Sequence, residues 1–375
     1  MSLARATLRH EWRRFLPGVL SVAFAGVLML VQLGLLLGMF GTVTVLVDDS
    51  NANLWVSSPE TQSFDQSREI SAGIISLLRM NPAVQRTETL LTHDADWRSG
   101  KDVRVAVVLV GLQPRADSLV CPRSMRDKLC ARLAEPDAVV VDESEAEKLH
   151  AAIGGLVEVN GHRVRIVGLC QGLRSVGNTY VFASWQTART LSEAAPNGED
   201  FTTFVVARTD APKPEIVRDQ LQELLRRPAY RVWTAQEISV DSQSWWLLES
   251  GVGAGFLFSS LLGLIIGTVI TSQTLRSAIL ASLREYATFR AIGVPAARLG
   301  AIVVEQSLWI GALGGVVTLV VSALAVMLAR ALYVPLVLTW WGIVAAVLIG
   351  LVTAALSGLL ALREMYRLEP AELLR

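Results

Sequence analysis

FLPGVLSVAFAGVLMLVQLGLLLGMFGTVTVLV, residues 15–47, runs without a single charged side chain. About 20 apolar residues are enough to cross the hydrocarbon core of a bilayer as a helix, so this run predicts a first transmembrane helix. At about 1.5 Å per residue it would measure about 50 Å, against a hydrocarbon core of about 30 Å. The surplus has two readings. Either the helix projects as a lever into whatever follows, or it tilts and hands over to a buried strand at residues 43–47. Ala23-Phe24-Ala25 imitates the cleavage motif of a secretory leader. The run, however, continues far past the roughly 7–15 residues of a leader's apolar region.

Working outward, residues 250–275, 306–329 and 331–362 are also uncharged except for Arg330 between the last two. Pro335, in Tyr333-Val334-Pro335, disfavours one continuous helix there and predicts a hairpin. The chain therefore divides into a cytoplasmic amphipathic segment (1–14), a first membrane helix with an external extension (15–47) and a large external domain (48–246). A second membrane helix (247–275), a cytoplasmic link (276–304), a third helix (305–330), a short external turn (331–338), a fourth helix (339–362) and a cytoplasmic tail (363–375) follow.

Composition and charge agree. Of 375 residues, 52% are hydrophobic and 18% charged, with a mean hydropathy of +0.43. Soluble domains carry about 25% charged residues. Lys+Arg 34 balance Asp+Glu 34, leaving no basic field for a nucleic acid. Arg5, Arg9, Arg13 and Arg14 precede the first span, and Arg276, Arg284, Arg290 and Arg298 separate the second from the third. Arg363, Arg367 and Arg375 follow the fourth. Cytoplasmic segments collect arginine and lysine, so both termini are expected inside and residues 48–246 outside. Trp245-Trp246 and Trp340-Trp341 would then lie at the outer interface.

The external domain reads as mixed α and β in two subdomains, divided near residues 60–80 and again near 200. Strands are predicted at residues 54–56, 103–110 and 138–141, a helix at 67–80 ended by Asn81-Pro82, and an acidic helix start at 142–145. Val157-Glu158-Val159 and Arg163-Val164-Arg165-Ile166 flank Asn160-Gly161, the dipeptide of a type I′ hairpin. A strand at 201–208, a helix at 214–226 and a strand at 230–233 form a β-α-β unit. Cys121, Cys130 and Cys170 all fall in this domain, where disulfides can persist. Cys121 and Cys130 flank a short loop and are the favoured pair, with three unpaired thiols as the alternative.

The spans carry G-x-x-x-G pairs: Gly34 and Gly38, Gly251 and Gly255, Gly263 and Gly267, Gly311 and Gly315. Small residues let helix backbones approach closely in lipid, so these predict helix packing within the chain or across a dimer. No phosphate-binding G-x-x-x-x-G-K-[ST] loop occurs. No ionisable residue lies mid-span, where proton relays would place one. Gln32, Ser259, Ser260, Thr268, Thr318, Ser322, Thr353 and Ser357 are expected to bond to neighbouring backbone. His93, Asp94 and Asp96 read as a polar loop, the histidines show no zinc spacing, and no catalytic, cofactor-binding or metal-ligating residue is assigned.

One charged stretch remains, Arg284-Glu285-Tyr286-Ala287-Thr288-Phe289-Arg290-Ala291-Ile292-Gly293. It resembles the R-E-[IY]-x-x-x-[RK]-A-[IL]-G signature of FtsX-like ABC permeases. The tail Arg367-Leu368-Glu369-Pro370-Ala371-Glu372-Leu373-Leu374-Arg375 resembles that family's closing R-x-x-P-x-E-x-L-R. Residues 29–34 and 51–56 resemble segments of its DevC-type branch. The loop from Cys121 to Cys130 has no counterpart in that pattern. The resemblance implies an α+β membrane protein, with four transmembrane helices and a mixed α/β extracytoplasmic domain between the first two, on the MacB-like (type VII) plan. It implies a non-catalytic permease in the bacterial inner membrane, working as a homodimer with a cytoplasmic ATPase subunit that binds the ATP. A periplasmic membrane-fusion adaptor and an outer-membrane channel would serve export of a lipid, glycolipid or other hydrophobic substrate. Arg284, Glu285, Tyr286, Arg290, Ala291, Ile292 and Gly293 would dock the ATPase, unless the segment is an ordinary juxtamembrane helix held by its arginines. An FtsX-like regulator of cell-wall hydrolases and a lipoprotein-releasing permease share the plan.

Overall fold

The computed structural model describes residues 10, 12–100, 103–126, 128–174, 179–192, 200–226, 230–281 and 295–365. In chain order the elements are α1 (Trp12–Val43), α2 (Val45–Asp48), β1 (Leu54–Ser57), β2 (Ile70–Ser71), α3 (Ile74–Leu78), β3 (Arg86–Ser99), β4 (Val103–Leu112) and α4 (Leu129–Arg132). Next come β5 (Ala138–Asp142), β6 (Leu156–Val159), β7 (His162–Cys170), β8 (Thr179–Ser184), α5 (Trp185–Leu191), β9 (Phe201–Thr202), β10 (Phe204–Arg208), α6 (Pro214–Leu224) and β11 (Arg231–Thr234). The chain closes with α7 (Ala235–Leu248), α8 (Val252–Ala281), α9 (Ala296–Ala331) and α10 (Trp340–Met365). It forms two compact units, one from Met1–Gly38 with Gly251–Arg375, the other from Met39–Ser250.

In the first unit, α1, α8, α9 and α10 are each long and apolar enough to cross a membrane. A helix satisfies its own backbone groups, which is what an apolar solvent demands. α1 touches the other three. Ser21 Oγ donates to Gly267 O of α8 at 3.2 Å, and Thr318 Oγ1 of α9 donates to Ala23 O at 3.3 Å. A Cβ added at Gly350 of α10 would lie 3.5 Å from Val22. Between α9 and α10, Tyr333 takes φ 54, its N–H bonds to Arg330 O and that of Val334 to Ala329 O. This is a Schellman ending with tyrosine in the left-handed position usually held by glycine.

In the second unit, β11-β1-β10-β3 is an antiparallel sheet laid out by β1-α3-β3-β10-α6-β11. That is the split β-α-β-β-α-β plan, with α3 and α6 on one face. Strand alternation sorts the side chains. Leu54, Val56, Val205 and Ala207 pack with Ile74, Leu78, Val217 and Leu221. Trp55, Phe204, Val206 and Trp233 face the other way, into a larger core. Between β3 and β10 the chain inserts a barrel, β3-β4-β8-β5-β7-β6, closed where Trp97 pairs with Val159 and Arg98 with Glu158. Closure removes both sheet edges. β3 serves both halves: residues 86–90 pair with β10, residues 91–99 with β4. The two halves meet inside β3, at residues 90–91, and not near residues 60–80 where the sequence placed the first border.

Several expectations change. His93, Asp94 and Asp96 lie within β3 instead of a loop. The helix expected at 67–80 shrinks to α3, preceded by β2. Residues 45–48 form the helical turn α2 instead of a strand. The strand expected at 201–208 is interrupted at Thr203, whose hydroxyl and amide bond across to β3. The boundary expected at 247 falls inside α7. The hairpin stands as expected, with Asn160 at φ 48 and Gly161 at φ 80.

Candidate functional site

Arg284, Glu285, Tyr286, Arg290, Ala291, Ile292 and Gly293 lie outside the described residues, as does the tail from Tyr366. The helix ends that bracket this link are described. α8 reaches Ala281, and α9 starts after Pro295, whose fixed φ suits a helix entry. Arg14 Nη2 donates to Ser277 O at 3.2 Å, tying the start of α1 to the end of α8. Phe15 and Val303, about two turns or less into their helices, join Val19, Val22, Ile310 and Ala354 in a buried cluster. Arg276 and Arg298 are exposed. The cluster joins α1, α9 and α10, while the end of α8 meets α1 through the Arg14 hydrogen bond.

The glycine pairs divide. A Cβ at Gly38 would lie 1.7 Å from Pro335 O, and one at Gly34 3.1 Å from Val337 O, so both receive the backbone between α9 and α10. Gly263 and Gly267 meet Leu28 and Ala25 of α1, and Gly311 meets Ala354 of α10. Gly251 and Gly255 have nothing within 4 Å among the described residues. Gly251, at φ 80, lies in the turn between α7 and α8. Thr268, Thr318, Thr353 and Ser357 bond to helix carbonyls as expected, Ser357 reaching Thr268 O at 3.1 Å.

In the second unit, the chain leaving α1 is held from two sides. Gln243 of α7 donates to Thr44 Oγ1 at 3.4 Å, while Leu46 and Val47 share the larger core with Ile238. From the other side comes a strap, residues 113–126 and 128–130. Asn51 N donates to Leu119 O at 2.7 Å, and Arg126 Nη2 to Asp49 O at 3.1 Å. Cys121 and Cys130 are joined in a disulfide with Cα atoms 6.4 Å apart, both fully buried. Cys170 is free and buried; burial, then the nearby Asp142 charge, pushes its thiol above the ordinary range. Burial also lowers the Arg126 guanidinium, helped by Arg123 and opposed by Asp49.

Glu88 anchors the strap's other end. Its Oε2 accepts from Ser118 Oγ at 2.6 Å and Leu119 N at 2.8 Å, and its Oε1 lies 2.6 Å from Arg86 Nη2 and 3.3 Å from Arg115 Nη2. Burial works against the Arg86 charge, but the Asp117 hydrogen bond and the Glu88 and Asp117 charges outweigh it and raise its pKa. The Arg86 hydrogen bond in turn holds the Asp117 carboxyl below its usual range.

Among the described residues of this unit, two hollows can be outlined. One, of about 820 Å³, runs between α3, β3 and Trp185. The other, of about 500 Å³, lies between residues 64–69 and Thr92, His93, Asp94 and Tyr180. His93 Nδ1 is 3.5 Å from Glu69 Oε1 across this second cleft. Among the described residues no three His, Cys, Asp or Glu side chains are grouped to hold a metal ion.

The sequence reading missed α7, which begins with a capping box: Thr234 Oγ1 accepts from Glu237 N, and Glu237 accepts from Thr234 N. The T-x-x-E spacing was the available signal. It also gave Trp245 and Trp246 no partner in the external domain, yet Trp245 Nε1 donates to Gln62 Oε1 at 3.0 Å and Trp246 Nε1 to Asp65 Oδ1 at 3.2 Å.

Two family models match the chain: the MacB-like periplasmic core domain over residues 19–224 and the FtsX-like permease C-terminal over residues 257–370. No curated protein matches it. Among solved structures it is similar to the extracellular domain of the ABC-type transporter YknZ from Gram-positive bacteria, at 16% identity and TM-score 0.35, over 49% of this chain and 100% of that one. It is similar to the periplasmic region of MacB from Actinobacillus actinomycetemcomitans, at 13% identity and TM-score 0.35, over 52% and 94%. A domain of a permease protein from Porphyromonas gingivalis is similar at 15% identity and TM-score 0.31, over 50% and 90%.

Proposed function

This chain belongs to the family of FtsX-like ABC permeases with a MacB-like periplasmic core domain, and from that premise we propose that it is the membrane subunit of an exporter driven by mechanotransmission. A cytoplasmic ATPase subunit binds and hydrolyses the ATP. Its closure pushes the link at Arg284, Glu285, Tyr286, Arg290, Ala291, Ile292 and Gly293, and the membrane helices pass the motion to the external domain. The assembly is a homodimer in a bacterial inner membrane with both termini cytoplasmic, and it hands a lipid, glycolipid or other hydrophobic substrate to an adaptor and an outer-membrane channel.

The observation that supports this reading is the joint match, on one chain, of the external core domain and of the membrane segment that follows it. On the α9 side of the link, Val303 shares a buried cluster with Phe15 of α1 and Ala354 of α10, and on the α8 side Ser277 O accepts from Arg14 of α1. Charge pairs and apolar side chains at the link are the groups that would set register and affinity for a soluble partner. The test is Arg290→Ala with Ile292→Ala, read by co-purification with the cognate ATPase and by its activity. Unchanged recovery and activity would remove the docking role. A pull-down on the external domain separates export from regulation: an adaptor supports export, a cell-wall hydrolase the FtsX-like alternative.

A further inference from the structure

The rim of the 500 Å³ cleft, residues 62–69, has little regular structure of its own: one 3₁₀ turn, Phe64–Gln66, and long connections. Three of its hydrogen bonds run to one helix, and across the cleft Glu69 Oε1 lies 3.5 Å from His93 Nδ1. Ser242 Oγ of α7 accepts from Phe64 N at 2.9 Å, Trp245 Nε1 donates to Gln62 Oε1 at 3.0 Å, and Trp246 Nε1 donates to Asp65 Oδ1 at 3.2 Å. The facing wall belongs to other elements, with Thr92, His93 and Asp94 in β3 and Tyr180 in β8, inside the closed barrel. Residues 62–65 of one wall are thus tied to α7 and the other wall belongs to the barrel, with the Glu69–His93 contact spanning the two.

α7 sits at the end of the external unit. Only Glu249, Ser250 and Gly251 separate it from α8, the second apolar helix. Gly251, at φ 80, lies in a backbone region that other residues enter at a cost. Two indoles on adjacent residues, set edge to face 5.6 Å apart, each donate to the rim while remaining half-buried. A tryptophan placed only for a lipid headgroup has no need of a protein acceptor for its N–H.

From this we infer that α7 is the handle of the cleft: the rim at residues 62–66 follows α7, so a displacement of α7 changes the width of the cleft. The inference deepens the proposed mechanotransmission by naming where motion of the second membrane helix would be read out in the external domain. It rests on that reading only for the source of the motion, because the tie between α7 and the rim stands on its own bonds.

Two measurements on the full chain in nanodiscs test it. The first is amide exchange in the protein without its ATPase. Trp245→Phe with Trp246→Phe removes both donors and keeps both rings. Exchange at residues 62–69 should quicken by on the order of tenfold or more, while β4 and β8 keep wild-type protection and report an intact fold. Unchanged exchange at 62–69 overturns the handle.

The second measurement is a distance between spin labels at Gln66→Cys and Asp94→Cys, both exposed on opposite walls. The native cysteines are at most 2% exposed and stay unlabelled. With the cognate ATPase, a nucleotide-dependent change of distance in the wild-type background should be lost when both tryptophans are phenylalanine. An equal change in both backgrounds overturns the inference. No change in either, with the exchange effect present, leaves the handle standing and tells against mechanotransmission through this helix.

Discussion

Replacing Glu88 should loosen the strap that holds the exit of α1, by an amount that depends on what replaces it. The carboxylate is 2% exposed and meets four donors. Glu88→Ala strands the Ser118 hydroxyl and the Leu119 N–H in the interior. Removing one partner of a buried charge pair costs about 3–5 kcal/mol. Arg86 is 29% exposed and keeps Asp117 at 2.9 Å, so the lower end, about 3 kcal/mol, applies. Its Nη2 also approaches Glu88 without the angle of a hydrogen bond, which argues against the upper end. Glu88→Gln keeps one oxygen for Ser118 and Leu119 but loses the charge, and should cost less, about 1–2 kcal/mol. Leu119 O is the acceptor for Asn51 N, so the damage should appear at residues 49–51 as well as at 118–119. Amide exchange by mass spectrometry measures this locally, and about 3 kcal/mol corresponds to roughly a hundredfold in the opening constant. Both variants lying within about 1 kcal/mol of wild type, or the glutamine costing as much as the alanine, would refute the assigned role of the charge.

Gly38→Ala should lower the thermal midpoint of the membrane unit by the equivalent of about 1–3 kcal/mol, since its Cβ would land on Pro335 O, whereas Gly255→Ala, with nothing within 4 Å, should leave it unmoved. Gln222 covers the free edge of β11, its amide donating to Tyr230 O and accepting from Val232 N, both at 2.8 Å. Gln222→Ala should cost about 1 kcal/mol and raise self-association in light scattering, because an uncovered edge pairs with other chains. Burial raises the Cys170 thiol, so its protonated form stabilises the fold fully below the ordinary thiol pKa of about 8.5, and that stability is lost as pH rises above it. The stability gap between wild type and Cys170→Ala should therefore shrink between about pH 8 and pH 10.5, and a constant gap would contradict it.

The legible parts of the sequence were those whose signal is local. The four apolar runs needed only their length, and Asn160-Gly161 needed only its two positive φ angles. β3 escaped because its charged residues alternate outward while Ala95, Trp97 and Ser99 turn in, so a glance at His93-Asp94-Ala95-Asp96 suggests a loop. β8, buried on both faces, carries no alternation at all and was not legible.

By itself the sequence determined that this chain carries four membrane-spanning runs with a large domain between the first two, and which charged stretch resembles a docking element, because hydropathy and spacing are properties of neighbouring residues. Only the tertiary structure decided which glycines are packed, that Gly38 receives a backbone carbonyl while Gly255 receives nothing. It alone brought Glu88, Ser118 and Asn51 into one chain of contacts, and tied Trp245 and Trp246 to a rim 181 to 183 residues away. Such contacts depend on how distant strands pair, and a one-residue change of register would send every side chain of a strand to the opposite face.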